Sequence, residues 1–475
     1  MIFLQQFIHF VSVAIGAILV LSAGLQNLIQ VVQLVLAGRA IRAMANNREN
    51  RWLWRRFGDS APPITLIAPA YNEVTSVVES VRSLLNLQYP QFEVVVVNDG
   101  STDGTLAALI EAFQLQPTQR AFDYEAPCQP VRGLYASLHQ ARLLVVDKAN
   151  GGKSDALNAG INLARYDLVC AMDSDSLLEP EALLRAAQPF IEDPDRVVAV
   201  GGSIRVVNGC RVEQGRVLGV KLPLNPVALF QVGEYCRAYM LGRLAWGHLE
   251  ALTLISGAFG LFRRDAAISV GGYTHKTVGE DLELVIKLHR RFRERGEPYR
   301  VVFAPDPVCW TQVPDSFRDL GRQRMRWQRG AMETITKHRD MLFRPRYGRI
   351  GSLAMGNMLI TDVIGPIAEV LGYIILPTFG LLGVLSWSYF SAFLALSLGF
   401  NMAISVAGIA LDETQQHRVS SGKDVFLLLC VAVAENFGYR QLCSYWRLRG
   451  TLQFLGGVQG WGSMTRQGFS KPAKA

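Results

Sequence analysis

The sequence predicts an α/β domain with a mostly parallel sheet, inserted between membrane-spanning helices. From about residue 62, apolar strand-like runs alternate with amphipathic helical runs, a pattern typical of a parallel sheet covered by helices. Long uncharged stretches lie before and after this region. Half of the 475 residues are hydrophobic, which fits a chain with both soluble and membrane-embedded parts.

The first uncharged stretch, residues 7–37, predicts a transmembrane helix, because about 20 apolar residues are enough to span a bilayer. A cleaved signal peptide fits poorly, since the stretch is too long and no basic residue precedes its apolar core. Six arginines follow between residues 39 and 56. By the positive-inside rule they lie in the cytoplasm, so Met1 is expected on the outer side.

Apolar segments return near 353–384 and 386–411, and both are long enough to span a membrane. A third segment, 425–438, is short and contains Glu435 and Asn436, which favours a re-entrant or interfacial segment. The predicted divisions are a transmembrane helix at 1–40, a basic cytoplasmic linker at 41–61, the α/β domain at 62–320, interfacial amphipathic helices at 321–352, a membrane region at 353–444 and a basic, aromatic, surface-lying cytoplasmic tail at 445–475.

Polar loops follow the predicted strands, and doubly wound sheets bind ligands at the carboxyl ends of their strands. The loop "AYNE" contains Tyr71 and Glu73, and "NDGSTDGT" contains Asp99. Tyr71 could stack on a base, and Asp99 could accept a hydrogen bond from an N–H group. The glycine-rich loop "NGGKSDALNAG" opens a helix, where backbone amides and Lys153 attract phosphate, although the P-loop spacing is absent. Each loop alone also fits an ordinary turn.

Two acids, Asp173 and Asp175, follow a buried strand-like run. Like charges at short range repel each other, so a cation is expected between them. A divalent ion, Mg²⁺ or Mn²⁺, would neutralise the pair and could also bind a diphosphate. The alternative is a solvated acidic turn.

Two later motifs carry further candidates. Glu280 and Asp281 precede a helical run, so Asp281 is either a helix N-cap or a general base. Gln323, Arg326 and Trp327 have the i, i+3, i+4 spacing that places them on one helical face. The arginine could bind a phosphate and the tryptophan could stack on a sugar. The alternative is a basic interfacial helix with a tryptophan anchor.

The order of these motifs resembles that of the family 2 inverting glycosyltransferases of the membrane-embedded, processive kind, such as cellulose, hyaluronan, chitin and poly-N-acetylglucosamine synthases. The resemblance covers roughly residues 62–335. It implies the GT-A fold, a Rossmann-like sugar-nucleotide domain. It also implies an inverting transfer from a UDP-sugar, with UDP-N-acetylglucosamine favoured, to a growing β-linked glycan that passes through the enzyme's own membrane channel.

The resemblance also implies a role for each candidate residue. These roles are nucleotide-sugar binding by Tyr71, Glu73, Asp99, Lys153, Asp173 and Arg326, metal binding by Asp175 and Asp173, base catalysis at Asp281 with Glu280 beside it, and acceptor binding by Trp327 and Gln323. The segment 255–262 is expected to select the sugar.

The expected partners are the UDP-sugar, the growing glycan and the lipid bilayer, with export or accessory subunits as further candidates. Nucleic acid is not expected, because arginines beside apolar spans typically mark the cytoplasmic membrane face. The expected location is the inner cell membrane, with several spans and a cytoplasmic catalytic domain. Two alternatives stay open, namely single transfer of a sugar to a lipid phosphate, which the Gln323–Trp327 motif disfavours, and a non-catalytic membrane scaffold.

Two segments lead to separate expectations. The apolar segment 353–384 contains Asp362, Pro366 and Glu369, and carboxylates inside a membrane usually face a polar path. We therefore expect them to line or gate a glycan channel, the alternative being that they pair with basic residues of the interfacial helices. Residues 116–139 contain prolines and show no hydrophobic periodicity, which predicts a surface insertion. No function is assigned to this insertion.

Overall fold

The computed structural model of the protein describes residues 2–45, 54, 57–213, 215–383, 386–416, 421–458 and 460. Parts of the predicted basic linker and of the predicted tail lie outside these residues. The strands are β1 (Ile64–Ala70), β2 (Phe92–Asn98), β3 (Leu115–Thr118), β4 (Val131–Ser137), β5 (Leu143–Lys148), β6 (Leu168–Met172), β7 (Ser176–Leu178), β8 (Val197–Val206), β9 (Arg211–Glu213), β10 (Arg216–Gly219), β11 (Phe259–Arg263) and β12 (Arg300–Thr311).

Ten of these described strands form one mixed sheet in the order β3-β4-β5-β2-β1-β6-β11-β8-β12-β7, and β9 and β10 form a separate hairpin. Seven strands of the sheet run in one direction, and β4, β7 and β11 run in the other. This confirms the predicted, mostly parallel α/β domain.

The central strands are buried on both faces. Every residue of β2, "FEVVVVN", is buried, and β1, "ITLIAPA", is buried except at the half-buried Pro69. Continuous apolar runs of this kind are typical of parallel strands covered by helices. Because β1, β2, β5 and β6 are parallel, their carboxyl ends lie at one edge of the sheet, and the polar loops of the sequence follow those ends.

The described helices cover the sheet and continue beyond it. They are α1 (Ile2–Ala45), α2 (Val77–Leu85), α3 (Thr105–Phe113), α4 (Lys153–Leu163), α5 (Ala182–Glu192), α6 (Pro226–Arg237), α7 (Leu244–His248), α8 (Arg264–Ser269), α9 (Glu280–Arg295), α10 (Phe317–Lys337), α11 (Met355–Met358), α12 (Gly365–Leu381), α13 (Trp387–Gln416), α14 (Gly422–Ala434) and α15 (Tyr439–Leu455). Short π-helical segments occur at Ala238–Arg243, Ile350–Ala354 and Leu359–Ile364, and 3-10 turns at Arg339–Met341 and Pro345–Tyr347.

Three helical stretches of the described chain are long and apolar enough to cross a membrane, namely Gly16–Met44, Ile350–Leu381 and Phe390–Thr414. The helices α14 and α15 pass the same test only as a pair, and they meet at an angle of 56°. This bend fits the re-entrant alternative of the expected re-entrant or interfacial segment around Glu435, because a glycine with φ of +106°, Gly438, lies between the two helices.

The structure corrects several expectations about organisation. The predicted insertion 116–139 contains β3 residues and all of β4, which extend the sheet as an edge hairpin. The boundaries predicted after residues 40, 320, 352 and 444 each fall inside a helical element, because helices run on where the composition changes from apolar to charged. The helix α15 does not lie alone on a surface, since Trp446 and Thr451 are buried and the helix packs against α10.

Candidate active site

The loops after β1 and β2 are joined by hydrogen bonds. The Asn72 N–H donates to Ser101 Oγ at 3.0 Å, and the Glu73 N–H donates to Thr105 Oγ1 at 2.9 Å. Glu73 is buried beneath this junction, whereas Tyr71 is 49% exposed. The sequence-predicted Tyr71 is therefore presented to solvent at the carboxyl edge of the sheet, where a flat ligand could stack on its ring.

The carboxylate of Asp99 is engaged by the glycine-rich loop that follows β5. It accepts hydrogen bonds from Lys148 Nζ at 2.5 Å, from the Gly151 N–H at 3.0 Å and from the Gly152 N–H at 2.7 Å. Lys148 is fully buried and also forms an ion pair with the buried Asp155. Asp99 thus fixes the conformation of the loop that leads into α4.

The neighbouring glycine explains why the two loops can approach each other. Gly100 has φ of +65°, in the left-handed region that favours glycine. A Cβ at this position would lie 2.7 Å from the backbone nitrogen of Asn150. The Asp99 loop and the glycine-rich loop therefore pack backbone to backbone.

Lys153, the first residue of α4, joins two groups of acids. Its Nζ lies 2.6 Å from Asp173 Oδ1 and 3.1 Å from Glu280 Oε1. Burial alone would lower the pKa of Lys153, but the charges of Asp173, Glu280 and Asp281 raise it above its ordinary value. Lys153 therefore supplies one positive charge, from within the chain, between Asp173 and Glu280.

Asp281 lies in the same cluster. Its Oδ2 accepts a hydrogen bond from the Gly257 N–H at 2.9 Å. A Cβ built on Gly257 would lie 2.9 Å from Lys153 Nζ and 3.4 Å from Asp281 Oδ2, so these three residues meet around one point. The N-cap alternative for Asp281 is wrong, because α9 begins at Glu280 and Gly279 is its N-cap.

The electrostatics of the cluster reflect an excess of negative charge. Burial, and next the charge of Asp173, raise the pKa of Asp175 to about 6, against the opposing charge of Lys153. Burial also raises the pKa of Glu280, while Lys153 and the more remote Arg326 act in the opposite direction. Protons or another cation would therefore be taken up readily at this edge of the sheet.

The helix α10 brings the third motif to the cluster. Trp327 is 42% exposed, and the Arg324 guanidinium lies 4.4 Å from the centre of its ring. Gln323 and Arg326 are half-buried on the same helix. Trp327 thus remains partly exposed, although the Arg324 guanidinium lies over its ring.

The contact between α10 and the acids depends on two glycines. A Cβ on Gly330 would lie 2.8 Å from the Cα of Gly279, the residue before Glu280. This close backbone approach fixes the distance between the motif of α10 and the first turn of α9. Alanine at either glycine would force the two elements apart.

The acid pair can hold a divalent ion only together with other ligands. Among the described residues, no group of three or more His, Cys, Asp or Glu side chains is arranged to hold a metal ion. Mg²⁺ and Mn²⁺ in nucleotide sites typically take one or two protein carboxylates and complete their shells with phosphate oxygens and water. The half-buried Asp175, with its raised pKa, and Asp173 fit such a partial donor set.

Comparison with known proteins identifies the family. The sequence profile "Glycosyl transferase family 2" matches residues 65–269. The profile "Glycosyl transferase family group 2" matches residues 168–405, which is half of the chain. The chain belongs to glycosyl transferase family group 2.

Curated relatives within the family include synthases of one polysaccharide. Over 280 residues the chain is 29% identical to poly-beta-1,6-N-acetyl-D-glucosamine synthase of Staphylococcus aureus strain COL, a match that covers 59% of this chain and 57% of the relative. It is 28% identical over 274 residues to the synthase of the same name from Staphylococcus epidermidis, covering 58% and 56% of the two chains. The chain therefore spans little more than half the length of these relatives.

One solved structure that aligns with this chain is the mannosyltransferase PcManGT from Pyrobaculum calidifontis in complex with GDP-Man and Mn²⁺. The alignment has a TM-score of 0.48 and 20% sequence identity, and it covers 90% of this chain and 98% of the other.

Three residues that organise this glycosyltransferase domain were not predicted from the sequence. Lys148 and Asp155 form the buried ion pair behind the glycine-rich loop, and Gly257 supplies the N–H that holds Asp281. A lysine at the end of the apolar run "RLLVVDK" was an available signal for the first two, because a charge there must find a buried partner. Gly257 acts through its backbone N–H, so its role could not be predicted from its residue type in the sequence.

Proposed function

We propose that this chain is an inverting, metal-dependent membrane glycosyltransferase that polymerises a β-linked polysaccharide from a UDP-sugar and passes it through its own membrane segments. The observation that carries the proposal is the meeting of Asp173, Lys153, Glu280 and Asp281 around one point at the carboxyl edge of the sheet. This arrangement supplies an acidic pair for a metal–diphosphate and a carboxylate for base catalysis in one site.

In the proposed reaction, Asp281 accepts the proton of the acceptor hydroxyl. The hydroxyl oxygen then bonds to the anomeric carbon, the bond from that carbon to the diphosphate oxygen breaks, and UDP leaves with the electron pair. Attack opposite the leaving group inverts the configuration, so an α-linked donor gives a β-linked product. The hydrogen bond from the Gly257 N–H holds the Asp281 carboxylate in one orientation. A base of this kind contributes about 10²–10⁴-fold in rate.

The charges that develop on UDP would be stabilised by Lys153 and Arg326. Lys153 begins α4, where backbone N–H groups also favour an anion. A divalent ion, when bound by Asp173 and Asp175, supplies Lewis-acid neutralisation of the diphosphate. Preorganised electrostatics of this kind are usually the largest single contribution to catalysis.

The donor and the acceptor are proposed from the relatives and from the open surfaces of the site. UDP-N-acetylglucosamine is favoured because the relatives at 28–29% identity are poly-beta-1,6-N-acetyl-D-glucosamine synthases. Tyr71, Glu73 and Asp99 would lie beside the nucleotide, and Gln323 and Trp327 would contact the growing glycan. Residues 255–262, which include Gly257, would contact the sugar and help to select it.

The membrane arrangement is proposed from the apolar helices. Three candidate spans flank the catalytic region, and Arg39 and Arg42 at the end of α1 favour a cytoplasmic catalytic domain. Asp362 and Glu369 lie in the second span as candidates for a polar glycan path. Their carboxylates pair with α15 rather than with basic residues of 321–352, since Asp362 Oδ1 accepts from Arg447 at 2.5 Å and Glu369 Oε2 from Ser444 at 2.5 Å.

The proposal is tested by the size of the product. Purified full-length protein in lipid vesicles is incubated with Mn²⁺ and each of several radiolabelled UDP-sugars, and the products are separated by mass. We expect high-mass product from one donor and none when EDTA replaces Mn²⁺. Lipid-sized product would replace the proposal with single transfer to a lipid phosphate, and no transfer from any donor would contradict it in favour of a non-catalytic scaffold.

A further inference from the structure

Three elements that are far apart in the sequence meet at the side chain of Gln328, one residue after Trp327. Gln328 Nε2 donates to the carbonyl oxygen of Asp362 at 2.6 Å and to Thr451 Oγ1 at 3.2 Å. Gln328 Oε1 accepts from Arg447 Nε at 3.1 Å, and Arg447 also binds the Asp362 carboxylate at 2.5 Å. We call these four residues the Gln328 junction.

The backbone around Asp362 explains why a side chain from α10 is needed there. In an α-helix the carbonyl of residue 362 would accept from the N–H of residue 366, but Pro366 has no N–H. The segment Leu359–Ile364 is π-helical, and α12 begins immediately after it at Gly365. The second span continues through this π-helical segment, but Pro366 cannot donate the regular α-helical hydrogen bond to the Asp362 carbonyl, and Gln328 supplies a donor to it.

Close packing prevents the helices of the junction from sliding past each other. A Cβ on Gly450 would lie 2.8 Å from Gln328 Cβ and 2.8 Å from the Met325 carbonyl oxygen. A Cβ on Gly321 would lie 2.8 Å from the indole of Trp446. Gln328 itself is 2% exposed, and its amide makes three hydrogen bonds. The junction is thus a buried, directional contact between α10, α15 and the second span.

The same helix, α10, contacts the acid cluster through Gly330 and Gly279. Only one turn of α10 separates Gly330 from Trp327 and Arg326. A displacement of the second span would therefore be transmitted by α10 to the acceptor side of the site, while the donor side is held independently by Lys153 and Asp173.

We propose that Gln328, Asp362 and Arg447 are positioning residues that couple the π-helical segment of the second span to the Arg326–Trp327 part of α10. This inference rests on the proposed function, because it assigns to the junction the placement of the acceptor end of a growing glycan. Loss of the junction should shorten the product and slow elongation, while the affinity for UDP stays unchanged.

The experiment uses Gln328→Met and Arg447→Met in full-length protein, with Arg449→Met as the matched control. Arg449 lies on the same helix but is exposed. We expect both junction variants to reduce mean product length about five- to tenfold, the factor that corresponds to one or two hydrogen bonds. UDP affinity should equal that of the wild type, and Arg449→Met should match the wild type in every readout.

A rescue variant separates positioning from general destabilisation. Pro366→Ala provides the N–H that the Asp362 carbonyl lacks, so Gln328→Met should lose less product length in the Pro366→Ala background than in the wild type. The inference would be overturned if Gln328→Met and Arg447→Met made product as long as that of Arg449→Met. It would also be overturned if the two junction variants lost UDP affinity and product length to the same extent.

A second readout does not depend on activity. Hydrogen–deuterium exchange of peptides that cover α10 should be about five- to tenfold faster in Gln328→Met, with no change in peptides that cover α4. Unchanged exchange in α10 would overturn the inference even if the wild type transferred no sugar. If the wild type transferred no sugar but Gln328→Met still showed faster exchange in α10, the proposed function would be contradicted. The mechanical coupling would then remain supported.

Discussion

Two charged clusters lie at the same edge of the sheet and differ in charge balance. In the first, the fully buried Lys148 lies between Asp99 and Asp155, and both oxygens of Asp99 also accept from the backbone of the glycine-rich loop. In the second, Lys153 faces Asp173 and Glu280 and remains partly exposed. The first cluster is closed to solvent, whereas the second is open.

The second cluster also contains more acids than its lysine can neutralise. Burial, and next the charge of Asp173, raise the pKa of Asp175 to about 6, and the charge of Asp281 helps to raise the pKa of Lys153. A buried cluster whose two carboxylates share one lysine and also accept backbone N–H groups stabilises a loop. An open cluster with a larger surplus of negative charge favours a cationic ligand. Solvent exposure and the size of the negative surplus, rather than the presence of acids, therefore distinguish a cluster that stabilises a loop from a candidate ligand site.

The largest expected effect is at Asp281 in the open cluster. Asp281→Asn should lower the turnover number about 10²–10⁴-fold, because the amide cannot accept the proton of the acceptor hydroxyl. UDP affinity, measured by calorimetry, should stay unchanged. The exposed Asp195 offers a control, Asp195→Asn, with normal turnover. Retained turnover in Asp281→Asn would assign the base to another residue.

The next largest effect is at the lysine of the closed cluster. Lys148→Met leaves two buried carboxylates without their cation and should lower the free energy of unfolding by about 3–5 kcal/mol. Lys153→Met should lower it less, because water reaches Lys153 and Asp173. Thermal unfolding of both variants in detergent measures the difference. Equal losses would contradict the distinction between the closed and the open cluster.

A smaller effect, dependent on pH, is expected at Glu283, a buried acid between α9 and α10. Burial alone would raise the pKa of Glu283, but His338, Lys287 and Lys337 outweigh it and hold that pKa at about 2. A lowered pKa stabilises the fold above the ordinary value of 4.5, and this stabilisation is lost as the pH falls from 4.5 towards 2. The pKa of Asp175 is shifted in the opposite direction because burial and, next, the charge of Asp173 outweigh the opposing charge of Lys153.

The measurement is the unfolding temperature between pH 6 and pH 3 for the wild type and for Glu283→Gln. The wild type should lose several degrees more than the variant over this interval, corresponding to about 1–3 kcal/mol for hydrogen bonds to a charged group. Parallel curves for the two proteins would show that Glu283 has an ordinary pKa.

Much of the fold was predictable from the sequence because its central strands are buried on both faces. The runs "ITLIAPA" and "FEVVVVN" allow few other structures, and each is followed by a polar loop. The edge hairpin of β3 and β4 was missed because short edge strands carry no continuous apolar run. The antiparallel β11 was missed because its insertion between β6 and β8 depends on packing between distant segments.

The candidate site was predictable residue by residue, but its pairings were not. Lys153, Asp173 and Asp281 were expected in one site on separate motifs, and the structure brings them together. The engagement of Asp99 by Lys148 and of Asp362 by Arg447 could not be read from the sequence, because each joins residues that only folding brings into contact. The family 2 assignment is confirmed, and the individual catalytic roles stay predictions.

The central claim is that the open cluster binds a metal–nucleotide complex. The most direct test is calorimetric titration of UDP, with Mn²⁺ and with EDTA, into the wild type and Asp175→Asn. We expect Mn²⁺ to strengthen UDP binding to the wild type. Asp175→Asn should lose this strengthening and keep the weak binding that the wild type shows in EDTA. Equal strengthening by Mn²⁺ in both proteins would contradict the claim.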